Sequence, residues 1–252
     1  MNCPFGLGRE CLLGLLLESQ EEAFRLTAAT LLDMRRTELA KMIDHTLLDP
    51  SATRSGIERL CEEAKTYEVH AVCVNPTWVP LVVDLLKNSE VNVCSVVGFP
   101  FGASLTRVKA FEAETVIRLG AVEVDMVMNI GVLKSQDLVK VREDIEQVVS
   151  ACRGFPVKVI IETGYLNDQE KVQACMLVEE SGGSFVKTST GFSSTGAKVE
   201  DVKLIRKTIG DRLGVKASGG IRTLKDALEM IAAGASRIGT SSTVLILREC
   251  PV

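Results

Sequence analysis

Between residues 41 and 242 a short apolar, β-branched run recurs eight times, with longer amphipathic stretches between the runs, and no other feature restricts the fold as strongly. The runs are KMIDHT (41–46), AVCVN (71–75), VNVCSVVGF (91–99), VEVDMVMN (122–129), VKVIIET (157–163), SFVKTST (184–190), GVKASG (214–219) and SRIGTSS (236–242). Between them lie segments of helical period, such as SGIERLCEEAKTY, SLTRVKAFEAETVIRLG and DLVKVREDIEQVVSACRG, of which the last two end in Gly120 and Gly154, as helix C-caps do. Strands and helices alternating eight times predict an α/β fold, a single (β/α)8 TIM barrel. An open doubly wound sheet is disfavoured because no G-x-G-x-x-G turn follows the first strand.

Strand parity carries the reading further. Successive side chains of a barrel strand point alternately into the lumen and toward the helices. In Val124-Asp125-Met126, Val157-Lys158-Val159, Val186-Lys187-Thr188 and Val215-Lys216-Ala217, one charged residue stands between neighbours suited to packing under helices. Asp125, Lys158, Lys187 and Lys216 are therefore expected to converge inside the barrel. A single buried lysine is as readily a structural ion pair or a strand end reaching solvent. Four converging charges are costly to desolvate and point to a site.

Two inward lysines on neighbouring strands with a carboxylate nearby suit Schiff-base chemistry. The nucleophile must be a neutral amine, and burial beside a second ammonium favours that form. Asp125 can move protons through the carbinolamine and enamine steps. Such chemistry needs no metal and no cofactor beyond the covalent lysine imine. The two histidines, His45 and His70, are too few for a histidine-rich zinc site, and no C-x-x-C pair is present.

Composition narrows the remaining classes. A net charge of −4 with no basic stripe argues against nucleic acid as a partner. The apolar run CLLGLLL (11–17) follows Arg9-Glu10 and leads directly into charged residues, so it reads as an amphipathic helix rather than a signal peptide or membrane span. The eight cysteines are scattered in apolar surroundings, as free buried thiols of a reducing compartment are. A cytoplasmic protein is expected, with residues 1–38 as a helical extension that caps the barrel or joins a subunit contact, and residues 39–252 as the barrel.

The last two strands end in KASGGIR and RIGTSS. Ser218, Gly219 and Gly220, with Gly239, Thr240, Ser241 and Ser242, combine backbone that can approach an anion closely with hydroxyl donors. Loops after strands 7 and 8 are where barrels commonly hold phosphate, so a phosphorylated substrate is expected.

The motifs EVDMVMNIG, VKVIIETGYL, FVKTSTGF, GVKASGGIRT and RIGTSS, with IDHTLL, VCVNP and VVGFPFG upstream, resemble the deoxyribose-phosphate aldolases from about residue 40 to 245. The resemblance implies a metal-independent class I aldolase that reversibly cleaves 2-deoxy-D-ribose 5-phosphate to acetaldehyde and D-glyceraldehyde 3-phosphate, in deoxyribonucleoside and carbohydrate catabolism. It implies that Lys187 is the Schiff-base nucleophile, that Lys216 lowers its pKa, and that Asp125 relays protons. It places Asp44, Cys73 and Lys158 along the substrate site and Gly191, Gly220, Gly239, Ser241 and Ser242 at the phosphate, in a homodimer or homotetramer. One position departs: Phe192 stands where some members carry a lysine after T-S-T-G, so phosphate is expected to lean on N–H groups and hydroxyls. The alternatives are another Schiff-base aldolase or transaldolase on the same barrel, and a non-catalytic barrel that binds a sugar phosphate.

Overall fold

The computed structural model describes residues 34–250, and the extension expected over residues 1–38 lies outside them up to residue 33, as do Cys3 and Cys11. The described chain starts at the floor of the barrel, where the five-residue helix α1 (Arg36–Ala40) is tied to β2 by a hydrogen bond from His70 N to Ala40 O of 3.1 Å.

Eight strands follow: β1 (Ile43–Leu47), β2 (Ala71–Val74), β3 (Asn92–Val97), β4 (Glu123–Val127), β5 (Val157–Ile160), β6 (Phe185–Lys187), β7 (Gly214–Ser218) and β8 (Arg237–Thr240). They pair in chain order, all parallel, and β8 closes on β1. The expected (β/α)8 barrel is the fold observed. The helices that cover it include α2 (Arg54–Tyr67), α3 (Val79–Leu86), α4 (Thr106–Arg118), α5 (Ile130–Lys134), α6 (Leu138–Ala151), α7 (Asp168–Glu180), α8 (Val199–Ile209), α9 (Leu224–Ala232) and α10 (Thr243–Glu249).

Local sequence explains the helix ends. Thr53 accepts a hydrogen bond from Gly56 N at the start of α2, and Ile57, Leu60, Cys61 and Ala64 form its buried stripe at helical spacing. Capping boxes begin α7 (Asn167 with Glu170) and α9 (Thr223 with Asp226). Several strands end earlier than the apolar runs that announced them. The runs 122–129, 157–163 and 184–190 continue past Val127, Ile160 and Lys187 into loops, and those loops build the mouth of the barrel.

The alternation of the strands divides two interiors. Val72, Val74, Val93, Val124, Met126, Val157, Val159, Val186, Val215, Ala217 and Ile238 pack outward into the large core shared with the helices. Facing inward, Ala71, Cys73, Cys94 and Val96 form a small apolar cluster with Leu48 on the β2–β3 side of the lumen. Beside this cluster the lumen carries the charged side chains of β1, β4, β5, β6, β7 and β8. The six described cysteines are free and buried, and among the described residues no helix is long and apolar enough to cross a membrane.

Candidate active site

The lumen brings together the four charges expected from strand parity. Lys187 Nζ and Lys216 Nζ both lie 2.7 Å from Asp125 Oδ2, and Lys158 Nζ lies 3.0 Å from Asp125 Oδ1. One carboxylate on β4 thus receives an ammonium from each of β5, β6 and β7. The register supports this, pairing Asp125 with Lys158 and Lys187 with Lys216 on adjacent strands.

Three further charges join this network, two of which, Glu123 and Arg237, sequence reading missed. Asp44 on β1 holds Lys216 at 2.5 Å, Glu123 on β4 holds Lys158 at 2.5 Å, and Arg237 on β8 reaches Asp44 at 2.9 Å and Glu123 at 3.2 Å. Asp44 was singled out only as a substrate-lining residue. Glu123 and Arg237 carry the same parity signal as Asp125 and Gly239, two residues further along β4 and β8. The network contains three carboxylates and four basic side chains, so it balances only when one base is neutral.

The network fixes the charge of most of its members. Burial would raise the Asp44 carboxyl, but Lys216, Lys158 and Arg237 outweigh it and hold the group well below the usual range. The same contest pushes Asp125 well down, through Lys158, Lys187 and Lys216. Against burial, the His70 hydrogen bond and Lys158 bring Glu123 to about 2. Burial would lower Lys158 and Lys216, but Asp125, Asp44 and, for Lys158, Glu123 hold both above the ordinary range. Lys158 and Lys216 are thereby locked as ammonium ions.

Above this layer a cavity of about 380 Å³ opens at the C-terminal ends of β6, β7, β8 and β1. Lys187 is the member of the charged cluster that lines it. Gly191, Ser218, Gly219, Gly220, Gly239 and Ser241, all expected at the phosphate, lie on its wall with Thr46, Asp49, Thr190, Phe192 and Arg222. Ser218 Oγ is buried there without a hydrogen-bond partner among the described residues. Gly239 has no room for a side chain, since a Cβ would lie 2.2 Å from Ser218 Oγ and 3.0 Å from Lys216 Cε. Gly219, at φ 91°, lets the loops after β6 and β7 meet backbone to backbone, 3.1 Å from Gly196 Cα to where its Cβ would stand.

Not every expected residue stands on this wall. Asp44, Cys73 and Lys158 point inward as parity requires and are fully buried in the layer around Asp125. Ser242 is outside the wall, and its N–H is taken by Thr240 Oγ1 at 2.9 Å. The wall also has the cationic side chain that the Phe192 substitution suggested was missing: Arg222, from the GGIR turn after β7. Phe192 itself leans edge-on against Phe99, ring centroids 5.3 Å apart. Glu162, another residue the sequence did not signal, is buried and holds the loop after β6, accepting hydrogen bonds from Thr190 N (3.1 Å), Thr190 Oγ1 (2.5 Å) and Ser193 Oγ (3.0 Å). Cys73 and Cys94 face each other across β2 and β3, and Cys94 Sγ donates to Asp125 Oδ1 at 3.2 Å.

Chemically, the arrangement presents one amine at the base of an open cavity, a carboxylate behind it, two fixed ammonium ions beside that carboxylate, and a wall of glycines, hydroxyls and an arginine for an anion.

Residues 38–248 match the DeoC/LacD family aldolase profile. A deoxyribose-phosphate aldolase of Carboxydothermus hydrogenoformans is 56% identical over 216 residues, which cover 84% of this chain and 95% of that protein. One of Streptococcus sanguinis is 55% identical over 211 residues, 84% of this chain and 96% of that one. Among solved structures, the deoxyribose phosphate aldolase from Aeropyrum pernix, described as a unique tetramer, superposes with a TM-score of 0.83 at 32% identity, covering 90% of this chain and 97% of that one. The aldolase QR15 superposes with a TM-score of 0.81 at 41% identity, covering 84% and 95%.

Proposed function

We propose that this chain, which belongs to the DeoC/LacD family of aldolases, is a deoxyribose-phosphate aldolase that works through a Schiff base on Lys187. The observation that carries this reading is the position of Lys187. Among the charges of the lumen it alone lines the cavity, and it meets one carboxylate, which it shares with the permanently charged Lys216. With Lys187 as the neutral member, three cations face three carboxylates and the buried layer balances.

In the cleavage direction the free amine of Lys187 attacks the aldehyde carbon of open-chain 2-deoxy-D-ribose 5-phosphate. The carbinolamine loses water and leaves an iminium. The bond between C2 and C3 then breaks, its electron pair passing to the iminium to give an enamine, while the C3 hydroxyl loses its proton and leaves as the aldehyde of D-glyceraldehyde 3-phosphate. Protonation of the enamine carbon and hydrolysis of the imine release acetaldehyde and restore the lysine. Asp125, already in contact with Lys187, is the group suited to move protons in these steps, directly or through a water. Lys216 and Lys158 hold Asp125 as a carboxylate. The phosphate is received on the opposite wall by Gly191, Gly219, Gly220, Gly239, Ser218, Ser241 and Arg222. A cytoplasmic homo-oligomer with no metal and no cofactor apart from the lysine imine completes the reading.

Borohydride reduction in the presence of substrate, followed by peptide mapping, tests it. The expected result is one covalent adduct, on Lys187. An adduct on Lys216 or Lys158, or none at all, would overturn the reading and favour a barrel that binds a sugar phosphate without turning it over.

A further inference from the structure

The buried network does not end at Asp125. On the floor of the barrel, His70 Nε2 lies 2.8 Å from Glu123 Oε1, and polar side-chain atoms of Asp44, His70 and Glu123 lie within 4.8 Å of one another. Glu123 and Asp44 are the carboxylates that hold Lys158 and Lys216, which meet Lys187 on Asp125. A short chain of contacts therefore connects His70 to Lys187, through Glu123, Lys158 and Asp125. Asp44, near the imidazole but not bonded to it, leads to the same carboxylate through Lys216. The side chain of His70 is 25% exposed, while those of Glu123, Asp44, Lys158 and Asp125 are between 0% and 8%. His70 is thus where the charged layer meets solvent on the side of the barrel away from the cavity.

We propose that His70 is a positioning residue for the reaction at Lys187, setting from the floor of the barrel the charge of the buried network on which that lysine depends. This rests on the reading of Lys187 as the reacting amine. The groups facing the imidazole are Glu123 of β4, Asp44 of β1 and the amide of Asn92, 3.4 Å away at the start of β3. Arg237 of β8 and Lys158 of β5 share Glu123 with it. A protonated imidazole draws on Glu123 and Asp44 as a fifth cation, leaves less negative potential for the lysines, and so favours the neutral, reactive amine at Lys187. A neutral imidazole with its proton on Nε2 keeps the hydrogen bond to Glu123 but returns that potential to the lysines.

The test follows imine formation with acetaldehyde and cyanoborohydride against pH, with the adduct mapped by mass. His70→Gln keeps an N–H donor for Glu123 without the charge, and should move the midpoint up by roughly half a pH unit, the size expected for one distant charge with partial screening. His70→Lys, a permanent cation, should leave the midpoint at or below that of the unsubstituted protein. A merely structural histidine would lower the rate at every pH and leave the midpoint in place, and that result would overturn the proposal. If neither variant folds, the unsubstituted protein decides. Its two histidines give separable imidazole NMR signals, and the His70 titration should shift to lower pH when acetaldehyde converts Lys187 to its cationic imine, because coupling between two sites is reciprocal. An unmoved titration with the imine present refutes the proposal. Failure to form any adduct on Lys187 refutes the proposed function instead.

Discussion

Two places in this molecule bury a lysine completely, and they differ in kind. Outside the barrel, Lys109 of α4 lies 2.6 Å from Asp144 of α6 and donates to Val127 O at 2.9 Å, while Thr106 Oγ1 donates to the other Asp144 oxygen at 2.9 Å. One cation meets one anion, and the remaining hydrogen-bond positions go to neutral groups. Inside the barrel, four bases share three carboxylates, and one of the bases lines a cavity. Burial alone does not mark a lysine as reactive, since Lys109 is as deeply buried as Lys216. A surplus of cations and access from solvent are what distinguish the second site.

The comparison is most sharply broken by exchanging the two lysines' fates. If Lys187 is the proposed attacking group, Lys187→Met should lower kcat/KM by about 10⁴-fold or more and leave thermal stability nearly unchanged. Lys109→Met should do the reverse. Activity at 25 °C should stay within a few-fold, while unfolding free energy falls by about 3–5 kcal/mol as Asp144 is left buried and unpaired. Equal loss of activity in both, measured alongside urea unfolding, would erase the distinction.

A smaller effect lies at the cavity wall. Arg222→Ala should raise KM for the 5-phosphorylated substrate roughly tenfold, in line with loss of one charge-assisted contact, while kcat changes little. The corresponding unphosphorylated sugar should show no such penalty. A common effect on both substrates would mean that Arg222 does not meet the phosphate.

The smallest expected effect concerns acid stability. Glu123 sits at about 2 when folded, whereas an unfolded glutamate titrates near 4.3. Its folded value is depressed, so its contribution is present above the unfolded value and is lost as pH falls from about 4.3 to about 2. Glu123→Gln should therefore be less stable than the unsubstituted protein at pH 7, and the gap should close across that window. Lys109 has the opposite bearing on pH, since burial outweighs Asp144 and holds its ammonium below the ordinary range. A gap for Glu123→Gln that stays constant from pH 7 to 2 would show that the lumen is packed rather than ion-paired there.

Much of the site was legible from residue parity. Asp125, Lys158, Lys187 and Lys216 needed only the two-residue period of a strand, and Glu123 and Arg237 were open to the same reading. Two other kinds of residue were not legible. His70 precedes its strand, so no period assigns it a direction, and its contact with Glu123 spans 53 positions of sequence. Glu162 and Arg222 lie in loops whose course depends on what they pack against. The depth of a side chain was equally hidden: Asp44, Cys73 and Lys158 share the inward face with Lys187, but strand stagger sets them below the cavity.

The eightfold alternation by itself determined the barrel, because the periods 3.6 and 2.0 are local properties and eight such units have a favourable way to close. Parity determined that unlike charges would meet in the lumen. Strand pattern left Lys187 and Lys216 equivalent, and the tertiary structure sets Lys187, not Lys216, on the cavity wall. Two near-identical V-K motifs, on β6 and β7, become a base at the cavity and an ammonium held beneath it by carboxylates of β1 and β4, and an electrostatic environment summed over distant strands is written in no single stretch of the chain.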